Sequence, residues 1–262
     1  SLAYSLLGET YQEMKDYKKS VASYENATKL NPWSYKDYFN LGRVYQIMEK
    51  LAQAIRAYVK ACELKPDHLD AHVSAAKIYY EIKDYNSALV YGERAEQIDP
   101  NVSEIQKVLG DIYESQKDYD RAIQSYKRAL EIDSNSPEIM LSLAVAYLRT
   151  NRNEPAKELL TSVIQIQPDN NTAYQYLGYC YLRLDNVDKA IESYSRAIEI
   201  NDKNWQAFRG LGVAYMVRAL NSKNEMLKAK AVHQWRLSLD INPNQPRRER
   251  LLKLIQHYSK EK

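Results

Sequence analysis

The chain has 262 residues and a net charge of +3, from 37 Lys and Arg against 34 Asp and Glu. Its 45% hydrophobic content can bury a continuous core, and no run of about 18 apolar residues is present to cross a membrane. Two cysteines, Cys62 and Cys180, exclude a disulfide framework, and the 7 glycines form no phosphate-cradling loop.

From the N-terminus, Tyr4, Leu7, Gly8 and Tyr11 are spaced i, i+3, i+4 and i+7, which predicts a helix with one packed face. Ser20, Tyr24 and Ala27 predict a second helix, and Pro32 closes the unit. The pattern then returns 34 residues later as Tyr38, Leu41, Gly42, Tyr45, Tyr58, Ala61 and Pro66. The third copy keeps Tyr79, Tyr85, Ala88, Ala95 and Pro100, and the fourth Leu109, Gly110, Tyr113, Tyr126 and Ala129. The fifth keeps Leu143, Ala144, Tyr147, Ala156 and Pro168, and the sixth Tyr174, Leu177, Gly178, Tyr181, Tyr194 and Ala197. Gly92 and Leu160 stand where the second helix otherwise carries an aromatic residue.

In the seventh copy Phe208, Leu211, Gly212 and Tyr215 keep register, but Ala231, Trp235 and Pro243 come seven residues late. An insertion therefore lies between Tyr215 and Ala231. Ser222 and Glu225 read as a capping box that starts the second helix at about Lys223. Beyond it, Pro246 and the stripe Leu251, Leu254, Ile255 and Tyr258 predict a capping helix over 246–262, laid on Val232, Trp235 and Leu239.

A fixed period of this length predicts an all-α stack of helical hairpins in which each unit touches its neighbours. The recurring large aromatic, Leu-Gly, Tyr, Ala, aromatic, Ala and Pro resemble the tetratricopeptide repeat. The resemblance covers about 1–245 and implies a right-handed superhelical solenoid of seven helix-turn-helix repeats plus a C-terminal capping helix. The repeats are 1–34, 35–68, 69–102, 103–136, 137–170, 171–204 and 205–245, followed by 246–262. It also implies that the first helix of each pair lines a concave groove, which binds a protein or peptide.

On those first helices, the slots opposite the packed stripe are polar in units one to four: Glu9, Lys36, Arg43, Asp70, Lys77, Lys107, Asp111 and Glu114. In units five to seven they turn apolar, as Leu141, Val145, Leu148, Tyr179, Leu182, Val213 and Met216, with Tyr176 beside them. Apolar residues that the core does not need mark a partner surface, the competing expectation being that superhelical curvature or the C-terminal helix folds over them. Arg149, Arg183 and Arg209 are positioned to orient an acidic or C-terminal group there. The Lys and Asn clamp by which such repeats grip acidic chaperone tails is missing, because Ser5, Glu9, Asp70 and Ser74 flank Asn40.

No catalytic constellation is present, and no cofactor is expected. His68 and His72, spaced i and i+4, read as a turn residue and a packing residue rather than metal ligands. The C-terminal part is basic, with 12 Lys and Arg against 4 Asp and Glu from residue 205 onward, so an acidic partner is expected there. No base-reading repeat code accompanies it, which argues against a nucleic-acid partner. The expected function is a noncatalytic scaffold holding a peptide or partner helix in its groove. The competing expectation is the substrate-recruiting segment of a larger enzyme or of a secretion or assembly machine extending upstream of Ser1. The compartment is open: cytoplasmic, or periplasmic or membrane-anchored through such an upstream segment.

Overall fold

The computed structural model describes residues 1–260, which form fifteen α-helices and no strand. None of the helices is long and apolar enough to cross a membrane. The helices group into two compact units, Ser1–Ser134 and Asn135–Lys262. The first unit holds α1 (Leu2–Glu13), α2 (Tyr17–Leu30), α3 (Tyr35–Ile47), α4 (Leu51–Leu64), α5 (Leu69–Glu81), α6 (Tyr85–Ile98), α7 (Ser103–Ser115) and α8 (Tyr119–Ile132). The second holds α9 (Pro137–Arg149), α10 (Asn153–Ile166), α11 (Asn171–Arg183), α12 (Val187–Ile200), α13 (Trp205–Ser222), α14 (Glu225–Ile241) and α15 (Arg248–Lys260). Both units are helical-repeat solenoid, built from hairpins α1–α2 through α13–α14.

The turns within hairpins repeat one device. A single residue is left-handed, with φ between 58° and 64° at Lys15, Glu49, Lys83, Lys117, Asn151 and Asp185. This reverses the chain, and the next residue can cap the second helix. Asp16, Asp84, Asp118 and Asn186 do so, each accepting from the backbone N–H three residues on. Lys50 and Arg152 occupy the same place without a side-chain cap.

Hairpins close by pairing a small residue with a large one. A methyl group on Gly42 would stand 2.7 Å from the Tyr58 ring, one on Gly110 2.5 Å from Tyr126, and one on Gly178 2.8 Å from Tyr194. Gly212 meets the Trp235 indole in the same way. Where the first helix carries Ala144 instead, the facing residue is Leu160, which keeps the combined volume close to that of Gly with Tyr; where it carries Ala76, the facing residue is Gly92 and the pair alone leaves space. At Gly92 the space is entered by Leu109 from the next hairpin, and the aromatic role passes to Tyr91, which stacks on Tyr79 at 5.4 Å.

The insertion lengthens both helices of its hairpin: α13 has 18 residues and α14 has 17, against 13 in α11 and 14 in α12. The expected capping box is not the one used. Ser222 ends α13, its hydroxyl donating to the Arg218 carbonyl, and Lys223 is left-handed. Asn224 caps α14 instead, accepting from Leu227 N–H at 3.2 Å. A side chain at the left-handed turn leaves the next residue free to cap, as in the shorter hairpins.

Helix α15 places Leu251 and Ile255 in a core with Met216, Ala231, Val232 and Trp235, with Leu239, Leu254 and Tyr258 packed against it. Arg247 is left-handed at its entry, so the helix begins at Arg248 rather than 246. The last two positions of the expected 246–262 segment lie outside the described residues.

Candidate functional site

In the second unit, the exposed faces of α9, α11 and α13 line up because each helix sits at the same place in its hairpin. They enclose a groove of about 620 Å³. Helix α9 contributes Val145, Leu148 and Arg149; α11 contributes Gln175, Tyr176, Tyr179, Leu182 and Arg183; α13 contributes Trp205, Gln206, Arg209, Gly210 and Val213. Tyr194 of α12 reaches it from beneath. Tyr179 and Val213 are 41% and 40% exposed, so these walls present apolar surface to solvent.

Eight of the ten sequence-predicted residues are brought together here: Val145, Leu148, Tyr176, Tyr179, Leu182, Arg183, Arg209 and Val213. Leu141 and Met216 are not among them. Leu141 is half-buried outside the groove. Met216, 6% exposed, is a core residue, because α15 covers the end of the last hairpin and draws its side chain onto Leu251 and Ile255. At Met216 the competing expectation for these slots, cover by the C-terminal helix, is the one the structure uses. Sequence reasoning also missed Gln175, Trp205, Gln206, Gly210 and Tyr194. Gly210 carried a signal, since it stands where Tyr176 stands one repeat earlier, two residues from the framework Gly212.

The groove is electropositive. Three of its lining residues are arginines and none is acidic. Arg183 donates to Asn151 Oδ1 at 2.8 Å, and Arg209 donates to the Pro246 carbonyl at 2.9 Å. The Arg209 guanidinium is held below its ordinary basicity, chiefly by burial and then by repulsion from Arg247 and Arg250. Its environment thus favours the arrival of negative charge.

The corresponding faces of the first unit are polar, and those of α5 and α7 are internally paired. Lys107 meets Asp111 at 2.8 Å, and Lys77 pairs with Glu104. The single Tyr126 hydroxyl proton is shared between Asp111 Oδ1 at 2.7 Å and Glu114 Oε2 at 3.2 Å. His68 caps α5 through Nδ1, and His72 Nε2 lies 3.1 Å from the Pro66 carbonyl. Burial holds His72 below the ordinary histidine range and pushes the Cys62 and Cys180 thiols up to about 12, so all three are neutral near pH 7.

Comparison with solved structures places this architecture among proteins of the same repeat. A tetratricopeptide repeat protein from Parabacteroides merdae matches at a TM-score of 0.70 and 18% identity, over 98% of this chain and 100% of that one. PilF of Pseudomonas aeruginosa matches at 0.68 and 18% identity, over 87% and 97%. YrrB, described as a TPR protein with an unusual peptide-binding site, matches at 0.63 and 22% identity, over 70% and 95%. At these identities the likeness shows the fold alone. A search of curated proteins finds no significant match. Tetratricopeptide repeat models match residues 2–32, 35–68, 113–178 and 172–204. On that sequence match and the repeated hairpins, the chain belongs to the tetratricopeptide repeat family.

Proposed function

We propose that the protein is a noncatalytic interaction scaffold that holds an apolar, acidic segment of a partner protein in the groove between α9, α11 and α13. The observation that carries this reading is the composition of the groove: exposed Tyr179 and Val213, partly buried Leu182, and three arginines without an acidic neighbour. Apolar side chains of the segment gain about 25 cal/mol for each Å² removed from water on these walls. Guanidinium groups at its edge select carboxylates and reject cationic segments. The groove volume of about 620 Å³ suits a few side chains rather than a folded domain. A peptide ligand also agrees with the peptide-binding site named for YrrB, a protein of the same fold. Groove residues lie on helices fixed by their hairpins, so the receptor loses little entropy on binding.

The test is selection from a displayed library of random 12-residue peptides, followed by titration of the enriched peptides. Enriched sequences should combine Leu, Ile or Phe with Asp or Glu. The Tyr179→Ala, Leu182→Ala double variant should weaken them by about 2 kcal/mol or more while leaving the circular dichroism spectrum intact. Basic consensus sequences, or equal affinity for the folded double variant, would refute the proposal.

A further inference from the structure

Tyr194 fills the framework slot held by Tyr24, Tyr58 and Tyr126 in the first unit, and its hydroxyl has a different fate from those of Tyr58 and Tyr126. Tyr58 Oη donates to Gln46 Oε1 at 2.8 Å and has the Ser74 side chain beside it. Tyr126 Oη is taken by Asp111 and Glu114. In repeat register, Gln46 and Glu114 become Leu182, Asp111 becomes Tyr179, and Ser74 becomes Gly210. The residues that satisfy the hydroxyl in the first unit are thereby replaced by an apolar side chain, an outward-facing ring and no side chain at all. Tyr194 is 3% exposed, and no described residue bonds to its hydroxyl.

The open direction for that hydroxyl is the groove. A methyl group on Gly210 would stand 2.8 Å from Tyr194 Oη, and residue 210 is itself part of the groove wall. A glycine inside α13 weakens the helix, but here it makes room for the phenol, whose ring end and hydroxyl occupy the space a Cβ would take beside the groove wall. With no protein acceptor, and with Tyr194 part of the groove lining, the hydroxyl is left to water until a ligand group supplies an acceptor.

We propose that Tyr194 Oη is the floor donor of a subsite that takes a side-chain carboxylate of the bound segment, entering past Gly210 between the arginines of the rim. This deepens the groove assignment and rests on it. The ligand would be an internal stretch with Asp or Glu beside bulky apolar residues. Its carboxylate would accept from Tyr194 at depth and from Arg209 nearer the surface, replacing the partners that Asp111 and Glu114 provide to Tyr126.

The test uses the full chain with synthetic 12-residue peptides carrying a Leu-Glu-Phe centre, and matched peptides with Ala in place of Glu. Tyr194→Phe removes only the hydroxyl. It should weaken the Glu peptide about tenfold, which is about 1.4 kcal/mol, and leave the Ala peptide unchanged. Because no protein hydrogen bond is lost, the free variant should melt at or above the parent temperature. Equal losses on both peptides, no loss on either, or a fall of several degrees in melting temperature would overturn the floor donor. In those cases, loss of binding by the Tyr179→Ala, Leu182→Ala variant would still uphold the groove. If the parent binds neither peptide, or the double variant binds as the parent does, the groove and its floor fall together.

Discussion

The two units carry one framework and two different surfaces. In the first, Asp111, Glu114 and Gln46 point from the first helices toward the tyrosine beneath and satisfy it, and Lys107 and Lys77 find acidic partners. In the second, the same slots hold Tyr179 and Leu182, while Arg149, Arg183 and Arg209 have no acid beside them in the groove. Where the polar surface pairs with itself, as on α5 and α7, it has less left to offer a ligand; an apolar one ringed by unmatched cations gains on meeting carboxylates and hydrocarbon. Framework and surface can therefore diverge independently, since they lie on opposite faces of the same helices.

The most direct way to break this contrast is to write the first surface into the second. Tyr179→Asp with Leu182→Glu should supply the groove arginines and Tyr194 with internal carboxylates. It should lower the affinity for acidic peptides at least about 100-fold, or ~2.7 kcal/mol, by removing apolar wall and repelling the ligand. Calorimetric titration with an enriched peptide measures this, and retained affinity would place the ligand elsewhere. Tyr126→Phe probes the other side. It removes the donor that Asp111 and Glu114 share, leaving both carboxylates partly buried without it, and should cost about 1 to 2 kcal/mol. A melting temperature equal to the parent's would mean that the first unit's network contributes nothing.

The framework was legible in the sequence because its physics is local and repeated. Gly110 and Tyr126 must be complementary in size, and the exchange to Ala144 with Leu160 records the same constraint, whereas at Ala76 and Gly92 Leu109 of the next hairpin fills the space. Most of the groove was legible for the same reason: slots that the stripe leaves free are predictable from 3.6 residues per turn. What escaped depends on contacts between units of the pattern. Met216 looks like a surface residue until α15 packs on it. Tyr194 looks like ordinary core, and only the simultaneous loss of Gln, Glu and Ser equivalents around its hydroxyl distinguishes it from Tyr58 and Tyr126. The start of α14 was misplaced because Ser222 and Asn224 can both cap; the left-handed Lys223 decides for Asn224.

The turns sharpen the comparison at lower energy. The first unit places Lys15, Glu49, Lys83 and Lys117 in left-handed backbone, whereas the second uses Asn151 and Asp185 in its first two hairpins and a lysine, Lys223, only in the lengthened third. Lysine and glutamate tolerate that region less well than asparagine and aspartate, and glycine tolerates it best. Lys117→Gly should therefore stabilise the protein by about 0.5 to 1 kcal/mol, and Asn151→Gly by less. Chemical denaturation of the two variants gives the comparison, and an equal or reversed order would deny that these turns carry strain.

The smallest expected effect concerns the residues after those turns. Asp16, Asp84 and Asp118 have carboxyls held below the ordinary range, first by hydrogen bonds from the side chains of Lys19, Ser87 and Arg121 and then by those residues' backbone N–H groups. A lowered folded value means that each carboxylate adds stability above its unfolded value of about 3.9, and that this contribution is lost as pH falls through the lowered folded value. Protonation leaves a carbonyl oxygen able to accept the capping bond, so the loss at any single cap is slight. The second unit caps α11, α12, α13 and α14 with Asn170, Asn186, Asn204 and Asn224, which do not titrate. As pH falls from about 4 through the lowered folded values, amide exchange should accelerate in the first turns of α2, α6 and α8 relative to those of α11 to α14. Asp84→Asn with Asp118→Asn should remove that difference in α6 and α8 and leave it in α2. Uniform acceleration in both units, unaffected by the substitutions, would assign acid sensitivity to charges elsewhere on the chain.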